Sequence, residues 1–246
     1  MAHVRLQKAT LHFPIYSAAA RSLKKRILRG AKRTRIADDE GHIIVRALEG
    51  IDLELNDGDR VGLIGRNGAG KTSLLRVLAG VYEPSSGTVE IAGRVTPIFD
   101  IGLGIDPEAT GLENIYLRGA LLGMRKAELA SMVPSIAEFV ELDDYMDMPV
   151  RTYSAGMSLR LAFAISTCVS SDILLMDEFF AVGDEAFIRK AEARMTELLH
   201  RASIIVLASH SREILKRFCN KALWLDSGVI KSFGPIDEVL SAYQPG

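Results

Sequence analysis

The sequence contains no long uninterrupted apolar run. Its longest apolar stretches, residues 159–170 and 204–209, fall well short of the roughly 20 residues that a membrane-spanning helix needs. The N-terminus also lacks the apolar core and the small-residue cleavage site of a secretory signal. We therefore expect a chain that does not cross the membrane and that is made and retained in the cytoplasm.

Cysteine and excess charge of one sign are both scarce. The two cysteines, Cys168 and Cys219, are far apart and outside any metal-ligand spacing, so we predict two buried thiols. The formal net charge is −1 and charged residues make up 25% of the chain, which gives no indication of a nucleic-acid partner. At 246 residues the chain is long enough for one large α/β domain, with or without a small inserted subdomain.

Hydrophobic periodicity indicates strands near the N-terminus. Residues 4–11 alternate loosely, and residues 43–55 contain two more strand-like runs that break at Glu49-Gly50. These patterns predict a small antiparallel sheet.

Further along, residues 106–171 have a helical pattern that includes a capping box at Thr110 and Glu113. Two apolar strands, 173–176 and 204–208, then flank a charged helix over about 185–200. Strands that alternate with helices predict a parallel sheet.

A basic segment interrupts the N-terminal strands. Eight basic residues and no acidic one lie between Arg21 and Arg35. Leu23 and Ile27 share one helical face, whereas Arg21, Lys25 and Arg29 lie on another. This pattern favours a basic amphipathic helix at a membrane surface, and a solvated basic helix without a partner is the alternative.

The clearest chemical motif follows the strand at residues 60–65. Glycines there would let successive backbone N–H groups surround an anion, and the helix that follows adds the positive end of its dipole. Lys71 would contact the β- and γ-phosphates, and the Thr72 hydroxyl would bind Mg²⁺. This pattern matches the G-x-x-x-x-G-K-[ST] phosphate loop, and the predicted nucleotide site comprises Gly65, Arg66, Asn67, Gly68, Ala69, Gly70, Lys71, Thr72 and the next residue, Ser73.

Two carboxylates at the end of an apolar strand supply the other half of a hydrolytic site. Residues 173–178 read Ile-Leu-Leu-Met-Asp-Glu. We predict that Asp177 lies on the Mg²⁺ side and that Glu178 accepts a proton from the attacking water. Hydrolysis is therefore favoured over nucleotide binding alone.

A second anion site is predicted at the start of the helix that follows Tyr153. Ser154 and Gly156 lie where a helix N-terminus would hold phosphate, although one nucleotide in the first loop leaves this site without a use. The arrangement resembles the ABC ATPase family, in which this signature motif closes over the nucleotide bound by a second copy of the chain. The resemblance implies ATP and Mg²⁺ as ligands, a D-loop at Asp184 and a γ-phosphate-sensing switch histidine at His210.

Three further residues are assigned through the resemblance. The family usually has a Gln after a hairpin near residues 91–95, and here Asp100 is the nearest polar substitute as a metal or water ligand. An aromatic residue in the family stacks on adenine, and either Phe13 or Tyr16 would fill that role.

Four segments narrow the resemblance to the polysaccharide exporters, a group that includes O-antigen, teichoic acid, capsule and galactan exporters. The segments are 100–104, 110–116, 153–157 and 181–187. This implies a peripheral protein at the cytoplasmic face of the inner membrane, where two copies dock under a dimer of transmembrane permease subunits. The cargo would be a lipid-linked polysaccharide, and the basic segment would lie near its pyrophosphate.

The implied fold class is an α/β P-loop NTPase with a parallel core sheet. We expect a single nucleotide-binding domain over residues 1–246, without a C-terminal carbohydrate-binding domain. It would consist of an antiparallel β subdomain over about 1–60, with the basic insertion at 17–42, and a helical subdomain over about 105–170. A different cargo is the first alternative, and a soluble ABC ATPase of translation or DNA maintenance is the second.

Overall fold

The computed structural model describes residues 1–15, 36–39, 42–99, 102, 104–177 and 185–243. The chain divides into two compact units, and each is described by itself. The first unit comprises residues 1–93, 175–178 and 203–246, and the second comprises residues 94–174 and 179–202.

Ten strands and seven α-helices lie within the described residues. The strands are β1 (His3–Ile15), β2 (Ile36–Asp39), β3 (His42–Asn56), β4 (Arg60–Ile64), β5 (Ser86–Ala92), β6 (Val95–Ile98), β7 (Ile173–Asp177), β8 (Ile204–Ala208), β9 (Lys221–Asp226) and β10 (Val229–Pro235). The helices are α1 (Lys71–Leu78), α2 (Gly111–Leu121), α3 (Lys126–Val140), α4 (Ala155–Thr167), α5 (Glu185–Arg201), α6 (Arg212–Phe218) and α7 (Ile236–Ala242). Short 3₁₀ turns occupy Asp143–Asp147 and Val150–Thr152.

The three N-terminal strands and β5 form a four-stranded antiparallel sheet with the order β2-β3-β1-β5. We predicted two strands over residues 43–55, and this is wrong because β3 is continuous through Gly50. Gly50 has φ +58°, its N–H donates to Thr10 Oγ1 at 3.0 Å, and the register with β1 shifts beside it. The glycine therefore marks a β-bulge and not a turn.

The predicted hairpin near residues 91–95 is also wrong. β5 pairs with β1 in the antiparallel sheet, whereas β6 belongs to the other sheet. The carbonyl of Arg94 accepts hydrogen bonds from the backbone N–H groups of Asp172 and Ile173, each at 3.0 Å. These bonds place the backbone at residue 94 beside the start of β7.

The larger sheet has a parallel centre, as predicted. In the first unit its strands follow the order β10-β9-β4-β8-β7, and β4 is parallel to both β8 and β9. Every residue of β8 is buried, as is β4 after its first residue, which explains their continuous apolar sequences. The strand β10 adds an antiparallel edge. The α/β fold class is confirmed.

The second unit is mainly helical and has its own apolar core. Side chains from α2, α3 and α4 share one buried cluster that includes Ile115, Leu129, Ile136 and Leu161. The predicted capping box is confirmed: Glu113 N–H donates to Thr110 Oγ1, and Thr110 N–H donates to the Glu113 carboxylate. No helix in the described ranges is both long enough and apolar enough to span a membrane.

The prediction of two buried thiols is confirmed for one cysteine only. Cys219 is buried, and burial raises the pKa of its thiol to about 12. Cys168 is half-buried, so for this residue the prediction was too strong. Burial still raises the pKa of the Cys168 thiol.

Candidate functional site

The phosphate loop connects β4 to α1 through backbone conformations that favour glycine. Gly65, Gly68 and Gly70 have φ values of +151°, +75° and +111°. A Cβ atom at Gly65 would lie 2.2 Å from the carbonyl oxygen of Leu225, closer than atoms can approach. Sterics therefore require glycine at this position, where the loop leaves the sheet.

The loop encloses the ammonium group of its own lysine. Lys71 Nζ donates to the carbonyl oxygens of Gly65 at 2.7 Å and Arg66 at 3.3 Å. On the inner side of the loop, Ala69 is buried and its carbonyl accepts from the Gly228 N–H at 2.9 Å. The sequence-predicted loop residues thus form one cradle, in which Arg66, Asn67 and Gly68 are exposed and Ser73 is half-buried in the first helical turn.

The phosphate loop meets the end of β7 in the first unit. We call β7 the carboxylate strand because it ends at Asp177. Thr72 Oγ1 donates to Asp177 Oδ2 at 2.7 Å, although 105 residues separate them in sequence. One hydroxyl and one carboxylate oxygen are the two protein ligands that Mg²⁺ commonly takes when it also binds phosphates and water. The donor set therefore fits Mg²⁺, and Thr72 and Asp177 are the residues that would hold it.

His210 follows β8, as predicted, and its side chain is exposed. Two serines shape the backbone beside it: Ser209 Oγ accepts from the Ser211 N–H at 3.1 Å, and Ser211 Oγ caps α6 by accepting from the Ile214 N–H at 3.3 Å. These bonds hold the turn that carries the imidazole.

Phe13 in β1 forms an aromatic pair with Tyr82, which lies in the loop between α1 and β5, and the sequence predicted only Phe13. Phe13 is half-buried, and its ring lies 5.2 Å from that of Tyr82 in an edge-to-face arrangement. The guanidinium of Arg76 lies over the Tyr82 ring and donates to its hydroxyl at 3.2 Å. Tyr82 was missed because no local sequence pattern connects it to Phe13.

The second unit carries the second predicted anion site at the start of α4. Ser154 is the N-cap, and its Oγ accepts from the Met157 N–H at 3.2 Å. A Cβ atom added at Gly156 would meet only Ser154 Oγ, at 3.8 Å, so the approach to the first helical turn is open. The hydroxyl and the N–H groups of this turn can together bind an anion.

Five predictions fall on residues outside those that the structure describes. They concern Tyr16, Asp100, Glu178, Asp184 and the eight basic residues from Arg21 to Arg35. Within the described part of the chain, the first unit brings together the phosphate loop, Thr72 and Asp177, whereas Ser154 and Gly156 belong to the second unit.

Comparison with known sequences identifies the family of this chain. The model of the ABC transporter family matches residues 48–181. The chain is 45% identical over 231 residues to the O-antigen export system ATP-binding protein RfbE of Yersinia enterocolitica, which covers 94% of this chain and 97% of that protein. It is 37% identical over 240 residues to the teichoic acids export ATP-binding protein TagH of Bacillus anthracis, which covers 98% of this chain but only 42% of that longer protein.

Solved structures agree with this fold. An ATP-binding subunit of an ABC transporter superposes with a TM-score of 0.70 at 20% identity, over 97% of this chain and 92% of that one. A dimeric ATP-binding cassette bound to ADP and Pi superposes with a TM-score of 0.67 at 18% identity, over 95% and 98% of the two chains. The solved structures thus support the fold, and the sequence matches establish that the chain belongs to the ABC transporter family of ATP-binding proteins.

Proposed function

We propose that this chain is the ATP-hydrolysing subunit of an ABC exporter and that its turnover drives a lipid-linked polysaccharide across the cytoplasmic membrane. The observation that carries the catalytic part is the 2.7 Å hydrogen bond between Thr72 and Asp177. It joins a phosphate cradle to the carboxylate strand, and Glu178 comes next in sequence. Binding ATP, Mg²⁺ and an attacking water in one place requires this proximity.

The chain's own groups would divide the work as follows. Lys71 neutralises the β- and γ-phosphates, Thr72 and Asp177 hold Mg²⁺, and Glu178 accepts the proton of the attacking water. His210 senses the γ-phosphate. When bound, Mg²⁺ would neutralise charge on the phosphate oxygens during transfer.

Two copies are proposed to share two ATP molecules. Ser154 and Gly156 form an open anion site. The nucleotide in the phosphate loop of the same chain does not need this site, and a nucleotide held by a second copy would occupy it. The dimeric cassette with a similar fold supports this arrangement. Asp184 would contribute from the D-loop, and Phe13 or Tyr16 would stack on adenine.

The cargo proposal rests on the relatives. Their names refer to export systems for O-antigen and for teichoic acids. The relatives with these names that cover at least 89% of this chain are 33–45% identical to it. O-antigen and teichoic acids are the cargoes that these names give, and we propose a lipid-linked cell-surface glycan as the class of cargo. We propose the same class for this chain, with a position at the cytoplasmic face of the membrane beside a dimer of permease subunits.

A groove in the second unit supplies a docking surface for the permease. It has a volume of about 1350 Å³ and lies between the segment that begins at Gly104 and helices α2 and α3. Leu117 and Leu121 on its wall are 47% and 74% exposed, and adjoining exposed apolar side chains of this kind mark interaction sites. An apolar cytoplasmic segment of the permease would cover them.

Replacing Lys71 with alanine tests the catalytic part. We expect turnover of the purified chain to fall at least about 100-fold, because phosphoryl transfer depends on fixed positive charge at the phosphates. A colorimetric phosphate assay measures this loss. Lys231→Ala removes an exposed lysine from β10 and serves as the control that retains activity. Equal turnover in Lys71→Ala and the parent would exclude the phosphate loop as the hydrolytic site.

Replacing Leu121 with aspartate tests the docking surface. We expect permease-stimulated turnover in the detergent-solubilised complex to fall at least about tenfold, because a carboxylate would have to be desolvated in the interface. Basal turnover of the isolated chain should not change. The control Phe233→Asp places a carboxylate at a 37% exposed apolar position of β10. If stimulation survives in Leu121→Asp, the permease docks elsewhere.

Stimulation by lipid-linked glycans tests the cargo. With the complex in lipid nanodiscs, we expect turnover to rise with a lipid-pyrophosphate-linked glycan and to stay at its basal level with the lipid alone. Stimulation by a drug or a peptide instead would indicate a different cargo for the same ATPase.

A further inference from the structure

Helix α2 presents two different faces within the second unit. Tyr116, Leu117 and Leu121 line the groove described above. Gly111 and Arg118 lie among the buried residues of the same helix. Gly111 and Arg118 are seven residues apart, about two helical turns, so both lie on the buried side of the helix.

On the buried side, a charged residue joins α2 to α4. Arg118 is 6% exposed, and its guanidinium donates to Ser166 Oγ through Nε at 3.3 Å and through Nη2 at 2.9 Å. Ser166 is fully buried, and its hydroxyl in turn donates to the carbonyl of Ala162 at 2.7 Å. The pair therefore connects the backbone of α4 to a side chain of α2.

The start of α2 also contacts the signature segment. A Cβ atom at Gly111 would lie 2.3 Å from the Tyr153 hydroxyl, so this hydroxyl packs directly against the helix backbone. The same hydroxyl donates to the carbonyl of Tyr145. Tyr153 immediately precedes Ser154, the N-cap of α4. Helix α2 therefore contacts Ser166, near the C-terminus of α4, and also Tyr153, just before the N-terminus of α4.

The two helices that carry the Arg118–Ser166 pair also contribute side chains to the apolar core of the second unit. Ile115, Leu161 and Ile165 belong to the same buried cluster. Burial lowers the pKa of Arg118 to about 10, so the guanidinium remains charged at neutral pH. Apolar contacts alone tolerate small shifts between helices, whereas directional hydrogen bonds in an apolar core select one register.

We propose that Arg118 is a positioning residue for the second anion site, acting through Ser166. It holds α4 in the axial position and rotation that present Ser154 and Gly156 to the nucleotide of a second copy. This inference rests on the proposed two-copy ATPase. Loss of Arg118 should impair the closed dimer while leaving nucleotide binding by each single chain intact.

The test measures dimerisation of the full chain by light scattering during size-exclusion chromatography, with ATP and Mg²⁺, in a Glu178→Gln background. We expect Arg118→Met to raise the ATP concentration for half-maximal dimerisation about tenfold, as expected for losing hydrogen bonds to a charged group. Affinity for ADP, measured by calorimetry on the monomer, should stay within about twofold of the parent. Loss of a residue needed only for folding would weaken both ATP-dependent dimerisation and ADP affinity.

Ser166→Ala removes the other partner with little steric change, and it keeps the test valid if Arg118→Met does not fold. Its shift should have the same direction, and the effects of the two changes should be less than additive in the double variant, because both changes break the hydrogen bonds between Arg118 and Ser166. Arg118→Lys should dimerise at a lower ATP concentration than Arg118→Met, because lysine keeps a charged hydrogen-bond donor. The matched control is Thr167→Val, since the Thr167 hydroxyl donates only within α4, to the carbonyls of Phe163 and Ala164.

Three outcomes would overturn this inference while leaving the two-copy mechanism standing. Unchanged ATP dependence in Arg118→Met and Ser166→Ala would do so, as would an equal shift in Thr167→Val. A parallel loss of ADP affinity would also do so, since it would indicate a general folding defect. If the Glu178→Gln parent itself does not dimerise with ATP, the two-copy mechanism fails and this inference fails with it.

Discussion

Changing Glu178 to glutamine is expected to reduce ATP turnover about 1000-fold, within the range of roughly 10²–10⁴ that a general base contributes. Glutamine has nearly the size of glutamate, but its amide does not accept the proton of the attacking water. ATP affinity should be unchanged, because Lys71 and Thr72 make the proposed phosphate and metal contacts. With hydrolysis blocked, ATP should trap the closed dimer.

Single-turnover hydrolysis and light scattering measure these two effects separately. Glu185→Gln is the matched control, because Glu185 is an exposed carboxylate in the first turn of α5 that pairs with Arg189 at 2.8 Å. It should keep full turnover. A Glu178→Gln chain that hydrolyses ATP at the parental rate as a monomer would contradict both the assigned base and the two-copy mechanism.

The second large effect is expected at Gly65. In Gly65→Ala the new Cβ would lie 2.2 Å from the backbone carbonyl oxygen of Leu225 in the neighbouring strand, and φ is +151°. Backbone must move at the end of β4 or in β9, which we expect to lower the free energy of unfolding by about 2–4 kcal/mol. The melting temperature should fall by roughly 5–15 °C. ATP affinity should also fall, since the displaced carbonyl of Gly65 borders Lys71 Nζ.

Thermal unfolding and ATP titration of the purified variant measure the two changes. Gly234→Ala provides the control, because a Cβ there meets nothing within 4 Å and the residue does not require positive φ. Its free energy of unfolding should stay within about 0.5 kcal/mol of the parent. Parental stability and ATP affinity in Gly65→Ala would show that the loop can relax without cost.

Local patterns in the sequence were sufficient for the elements that depend on near neighbours. The capping box at Thr110 and Glu113 spans four residues, and both of its hydrogen bonds are present. The strand at 204–208 was predicted with its observed ends because a continuous apolar run is typical of a strand buried in a parallel sheet. The phosphate loop is likewise a local motif, since its glycines and lysine are consecutive.

Local patterns failed where a distant strand decided the conformation. Glu49-Gly50 reads as a break between strands, but pairing with β1 extends β3 across it as a bulge. Residues 91–95 read as a hairpin, but β5 pairs with β1 and β6 joins the other sheet. In both cases the partner lies tens of residues away, and turn propensity carries no information about it.

The sequence by itself determined the α/β class, the phosphate loop and the residue types of a hydrolytic site, because these follow from periodicity and from contiguous motifs. Only the tertiary structure decided that Thr72 and Asp177 are hydrogen-bonded, that Tyr82 contacts Phe13 and that Arg118 is anchored on Ser166. Between 48 and 105 residues separate the two partners of each pair along the chain. Such contacts depend on how sheets and helices pack. Local sequence patterns do not predict them, because packing is a property of the whole chain whereas propensity is a property of each segment.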